Sequence, residues 1–154
     1  MDLSEEFAPG RELIIVEMAA QRFAIDVMWV REIRGWTAST RLPQSPEHVL
    51  GMINLRGSVL PVVDLSARLG LGGCEPNAAS VVIVTEIRGQ LVGLLVDAVC
   101  DILTLAEGMA QPPPAVGAPE TAVFVKGVIT SGDEIITLLA LVSVVTDQDL
   151  DIAA

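Results

Sequence analysis

The chain repeats itself, and that repetition limits the folds open to it more than any other feature. Ile14-Ile15-Val16-Glu17, Gln21, Ala24, Ile25, Val30, Glu32 and Ile33 recur at an offset of 69 as Ile83-Val84-Thr85-Glu86, Gln90, Gly93, Leu94, Val99, Asp101 and Ile102. Further on, Gly51-Met52-Ile53, Val59-Leu60, Val62-Val63 and Leu65 recur at an offset of 76 as Gly127-Val128-Ile129, Ile135-Ile136, Leu138-Leu139 and Leu141. Apolar hairpins in general look alike, but here glycines and acids coincide as well as aliphatics. The reading is a duplicated unit of about 70 residues.

Each unit reads as short apolar segments punctuated by turn signals. Strands are expected over 13–18 and 22–27, joined at Ala19-Ala20-Gln21, and over 51–55 and 59–63, turned by Arg56-Gly57-Ser58. Asp64 has the character of an N-cap for a short helix over 65–69 that ends at Gly70. After a linker at 71–79, further strands are expected over 80–86 and 91–96, turned by Arg88-Gly89. A Pro-rich loop at 111–121 precedes the last pair, 124–130 and 134–139, turned by Gly132-Asp133. Five short strands per unit suit a small closed barrel, in which closure removes exposed edges. Residues 1–10 read as a disordered leader, 11–147 as the folded domain with its two similar subdomains dividing near 71–79, and 148–154 as an acidic tail.

Composition narrows the class. Half of the 154 residues are apolar, yet Tyr is absent and aromatics make up 3%, so Val, Ile and Leu must fill the core. β-Branched side chains pack well on pleated sheets. A net charge of −11 with nine basic residues argues against nucleic acid and anionic membrane surfaces as partners. No apolar run reaches the roughly 20 residues that span a bilayer, and the acidic N-terminus is unlike a secretory signal. Cys74 and Cys100 lack metal or redox spacing, which suggests two structural thiols in a reducing cytoplasm.

Catalytic constellations are not apparent. His48 is the one histidine, no phosphate-cradling G-x-x-x-x-G-K-[ST] is present, and the acids are scattered singly. The expectation is a binding module with no metal, no cofactor and no small-molecule substrate. Two stretches depart from ordinary core. Arg56 interrupts an apolar run between Asn54 and Gly57, where it either caps a turn and snorkels to solvent or anchors an interface from a rigid hairpin tip. Val30-Arg31-Glu32-Ile33-Arg34-Gly35-Trp36 alternates charged and apolar residues, as an edge strand does whose face is either solvated or presented to a partner.

At these residues the chain resembles the CheW family of chemotaxis coupling proteins. The matching pieces are Phe23-Ala24-Ile25-Asp26, Val30-Arg31-Glu32-Ile33, Leu42-Pro43, Pro46, Gly51-Met52-Ile53-Asn54-Leu55-Arg56-Gly57, Leu60-Pro61-Val62-Val63-Asp64-Leu65 and Val92-Gly93-Leu94-Leu95-Val96-Asp97, in order over about 10–147. The resemblance implies a mainly β fold of two SH3-like five-stranded barrels around a shared hydrophobic core, with a few short helices. It implies a cytoplasmic, non-catalytic adaptor joining the tips of methyl-accepting receptors to the regulatory domain of the histidine kinase CheA. By position, the receptor groove takes in Val30, Glu32, Ile33, Gly51, Asn54, Arg56, Gly57 and Val81. A kinase contact falls at Val116, where the family often carries an aromatic; that departure bears on the second kinase contact and on ring closure.

Three other readings stand beside this one. The chain could be an adaptor of the same kind in a receptor–kinase pathway outside chemotaxis. It could be a regulatory piece of a larger protein. It could also be an enzyme built on Asp26, His48 and Asp64.

Overall fold

The computed structural model describes residues 9–36, 40, 48–72, 76–112 and 124–145. Residues 1–8 of the leader expected over 1–10, Leu42, Pro43, Pro46, Cys74, Val116 and the acidic tail at 148–154 lie outside the described residues. The elements run β1 (Glu12–Met18), β2 (Gln21–Asp26), a 3-10 turn (Val27–Trp29), β3 (Val30–Gly35), β4 (Val49–Leu55), β5 (Ser58–Asp64) and α1 (Leu65–Arg68). There follow β6 (Val81–Ile87), β7 (Gln90–Val96), β8 (Ala98–Thr104), β9 (Ala110–Gln111), β10 (Val125–Ser131), β11 (Glu134–Leu139) and α2 (Leu141–Val144). The architecture is mainly β, as expected.

Two-residue turns set the hairpins. Ala19-Ala20, Arg56-Gly57 and Arg88-Gly89 all have positive φ at both positions, the conformation whose twist matches that of the flanking strands. The offset of 76 also holds beyond the strands: α1 follows β5 as α2 follows β11. The caps differ. The Asp64 carboxylate accepts from the Ala67 amide at 3.3 Å, whereas Ala140 at the equivalent place offers no side-chain cap.

The strands form a five-stranded sheet ordered β3-β6-β7-β5-β4 and a six-stranded sheet ordered β8-β1-β2-β11-β10-β9. Residues 71–79 do separate the two repeats along the chain, but they do not separate two structural units. Each sheet draws strands from both repeats, and the exchange is reciprocal. β3 pairs with β6 of the second repeat, and β8 pairs with β1 of the first. In parallel ladders β5 lies beside β7, and β11 beside β2. Even the irregularities correspond: Arg31 is skipped between Val30↔Thr85 and Glu32↔Val84, and Cys100 between Val99↔Val16 and Asp101↔Ile15.

This arrangement explains why the strands read as nearly continuous apolar runs. β1 is buried on both faces. Leu13 and Ile15 enter a cluster with Ala24, Leu105, Ile129, Ile136 and Leu138 inside the six-stranded sheet. Ile14, Val16 and Met18 point the other way, into a central cluster. β6 does the same: Val82 and Val84 join Ile53, Leu60, Val62 and Leu95 inside the five-stranded sheet, while Ile83 and Ile87 face the centre. The central cluster joins strands of both sheets to Leu65, Leu141 and Val144 of the two helices and to Leu69 at the end of α1, and is the shared core expected from the resemblance. Burying each such Leu or Ile contributes about 1.5–3 kcal/mol, so one chain buries three stacked cores without a staple.

Two smaller expectations are corrected. Gly10 is not part of a loose leader, because its amide donates to Leu105 O at 2.8 Å and ties the start of β1 to the end of β8. Cys100 is not a packed structural thiol: the register shift turns it to solvent on the outer strand β8. β8 and β9 also add to the strands read from the sequence. No helix among the described residues is long and apolar enough to cross a membrane.

Candidate functional site

β3 is the outermost strand of the five-stranded sheet, with a ladder to β6 on one side only. Its alternation is that of an edge, but the apolar and charged positions are not disposed in the simplest way. Ile33 is opposite the core residue Ile83 yet remains 46% exposed, because the sheet ends there. Glu32 and Arg34 lie opposite Val84 and Val82, on the side of the sheet's own interior, and are half-buried at its rim. Val30 packs on the margin of the central core, as does Val81, which pairs with Gly35 at the far end of the ladder.

The β4–β5 hairpin brings the remaining residues towards this edge. The Asn54 side-chain oxygen accepts from the Gly57 amide at 2.9 Å and holds the turn closed. Gly57, at φ 88°, has open space where a Cβ would stand, so its glycine serves the turn. Arg56 occupies the other turn position at φ 50°. A left-handed arginine costs about 1 kcal/mol relative to an ordinary conformation, and the result is a guanidinium carried at the hairpin tip. It reaches back over the open side of the sheet: Arg56 Nη2 donates to Glu32 Oε1 and Oε2 at 3.2 and 3.3 Å. Arg34 Nη1 lies 3.5 Å from the same Oε1. Glu32 therefore ties β3 to the β4–β5 tip across a gap that no backbone ladder spans among the described residues. Deeper in that gap, Thr40 exchanges amide–carbonyl bonds with Met52 on β4.

Most of the expected site residues are thus brought to one edge. Glu32 and Arg56 touch, Asn54 and Gly57 shape the turn that carries Arg56, and Ile33 supplies exposed apolar surface. Gly51 is different. It is buried at a register shift opposite Val62 with φ 151°, so it bends the hairpin and presents no side chain. Arg34 was not among the expected residues. Its place two positions after Glu32 on an alternating strand is the signal that could have found it.

The two carboxylates of the enzyme reading serve the fold. Asp26 pairs with Arg11 and caps the 3-10 turn through the Met28 amide. Asp64 caps α1, and the His48 carbonyl accepts from the Asp64 amide at 2.7 Å. Among the described residues no three of His, Cys, Asp and Glu gather to hold a metal. A cleft of about 460 Å³ opens where β2 meets β11, beside the Arg22–Glu134 ion pair, and none of these three residues lines it.

The fold and its edge define the class as an intertwined two-sheet β module with a charged and apolar outer strand. The comparisons make it specific: the chain belongs to the CheW family, matching the CheW-like domain over residues 12–149. It is 46% identical to the chemotaxis protein CheW of Rhizobium meliloti, over 94% of this chain and 93% of that one. It is 43% identical to a probable chemotaxis protein CheW of Rhizobium etli, over 93% and 92% of the two chains. Among solved structures it is similar to the scaffolding protein TtCheW of Thermoanaerobacter tengcongensis, with a TM-score of 0.81 at 33% identity, covering 88% of this chain and 92% of that one.

Proposed function

We propose that this protein is a non-catalytic chemotaxis adaptor that couples methyl-accepting receptors to a CheA-type histidine kinase. The observation that carries the reading is the β3 edge, where Glu32 holds the exposed Arg56 on one face of the strand and Ile33 is exposed on the other. Its relatives' names, a chemotaxis protein and a scaffolding protein, point the same way. A receptor tip docks along Val30, Glu32, Ile33 and Val81, with Asn54, Arg56 and Gly57 at its end and Gly51 acting through the bend of the hairpin. The kinase regulatory domain binds elsewhere, with Val116 at one contact. The protein works in the cytoplasm and is recruited to receptor arrays at the membrane's inner face.

Coupling of this kind needs no chemistry. A module built from two similar halves offers two similar faces, and heterologous contacts between such faces close into rings or extend into arrays. Each contact can be weak, because neighbours already in the array raise the effective concentration of the next. The receptor's state then biases how the kinase is held. The test is co-sedimentation of this protein with receptor cytoplasmic fragments and the kinase, alongside kinase assays with and without it. Wild type should enter the pellet and change kinase activity, and Arg56→Glu should do neither. Kinase activity indifferent to the protein would refute coupling, and full recovery of Arg56→Glu would remove Arg56 from the site.

A further inference from the structure

The reciprocal exchange leaves the molecule with two equivalent edges, β3 and β8, and their comparison shows what a partner has to read. The apolar parts match at two positions. Val30 and Val99 both pack on the margin of the central core, and Ile33 and Ile102 are exposed to 46% and 56%. A partner recognising apolar shape alone would find both edges acceptable. The charged parts do not match. The first edge gathers Glu32, Arg34 and Arg56, two guanidiniums on one carboxylate. The equivalent positions on the second edge are Asp101, Leu103 and Gly132, with Glu12 where the first edge has Val81. The first edge is thus locally cationic in a chain of net charge −11, and the second is anionic.

We infer that the partner of the β3 edge presents a carboxylate beside its apolar surface, and that Arg34 and Arg56 together bind it, with Glu32 as the internal competitor that occupies them beforehand. This rests on the proposal that a receptor tip docks at this edge, and it adds the partner's chemistry and a second contact residue, Arg34. A guanidinium offers five donors in a planar fork, so a carboxylate can enter between the two arginines with Glu32 retained on the far side or displaced. Charge at an interface rim governs discrimination and association rate more than gross affinity. That suits a device choosing between two edges that share their exposed isoleucine and core-margin valine.

The experiment is titration of a soluble receptor cytoplasmic fragment into the full chain at low and high salt. Thermal melts confirm that each variant is folded. Arg34→Gln should weaken binding about three- to fivefold at low salt, the range of one exposed ion pair, and should flatten the salt dependence. Glu32→Gln should bind about twofold more tightly, since it frees both arginines while keeping the side chain's size. Asp101→Asn on the second edge should change nothing. An Arg34→Gln protein with wild-type affinity and salt dependence overturns the inference. So does a Glu32→Gln protein that binds weakly, because Glu32 would then serve to hold Arg56 in place. Absence of binding by the wild type at both salts overturns the docking proposal as well. Wild-type binding with indifferent arginine variants overturns the inference alone.

Discussion

Replacing Gly93 with alanine sets the exchanged architecture against a single methyl group. Gly93 lies on β7, paired with Val84 on one side and Val62 on the other, and faces the interior of the five-stranded sheet. A Cβ there would stand 2.8 Å from Val82 Cγ1, with Val62 Cγ2 at 3.5 Å and Leu60 Cδ1 at 3.7 Å. The first of these is too close, and Val82 has little room to swing aside, because β-branching restricts its χ1 and it is 2% exposed. Overpacking of this kind costs about 1–3 kcal/mol. Alanine also recovers about 0.5–1 kcal/mol by restricting the unfolded chain. The net expectation is a loss of about 1–2 kcal/mol, at roughly 2–4 °C of melting temperature per kcal/mol for a chain of this size.

Urea unfolding followed by tryptophan fluorescence reads it, with Trp36 packed against this same cluster as a local reporter. The other repeat supplies the control. The equivalent of Gly93 is Ala24, fully buried beside Leu13, which stands where Val82 does and can turn its branched end away. Ala24→Gly should therefore destabilise, although it is the reverse change at the matching place. In a Val82→Ala background the Gly93→Ala penalty should vanish, giving a coupling of about 1 kcal/mol or more. An unchanged or higher midpoint for Gly93→Ala, with unchanged slope, would refute the packing argument.

Asp64→Ala should cost about 1–2 kcal/mol by uncapping α1, while Ala140→Asp at the equivalent start of α2 should gain about 0.5 kcal/mol, both read by chemical unfolding. Arg68 Nε donates to Val144 O at 2.7 Å with its guanidinium over the Phe124 ring, and Arg88 donates to Val142 O and Val145 O. Arg68→Met should therefore cost about 1 kcal/mol and accelerate hydrogen exchange in α2 before the sheets. Arg56→Gln should leave stability within about 0.5 kcal/mol of wild type, since its side chain is 73% exposed, while weakening receptor co-sedimentation severalfold; a large loss of stability would make Arg56 a strap and not a docking residue.

Much of this molecule is local and therefore legible. The turn positions at Arg56-Gly57 and Arg88-Gly89, the cap at Asp64 and the apolar strands each depend on a few adjacent residues. The offsets of 69 and 76 are linear facts; carried through, they would also have placed β8 and α2, which show no strong signal of their own and went unread. The edge character of β3 follows from its charged alternation. What the linear order left open is which strand pairs with which. β3 could lie against β1 or β6, and β8 against β6 or β1, because duplication gave each pair of candidates the same apolar pattern. Only three-dimensional closure chooses between them. The choice taken buries both faces of β1 and β6, which pairing within one repeat would not require. The same long-range choice brings the tip of β4–β5 over the rim of β3. Glu32, Arg34 and Arg56 become one cluster there, and a repeat that began as symmetry ends with two edges of opposite charge.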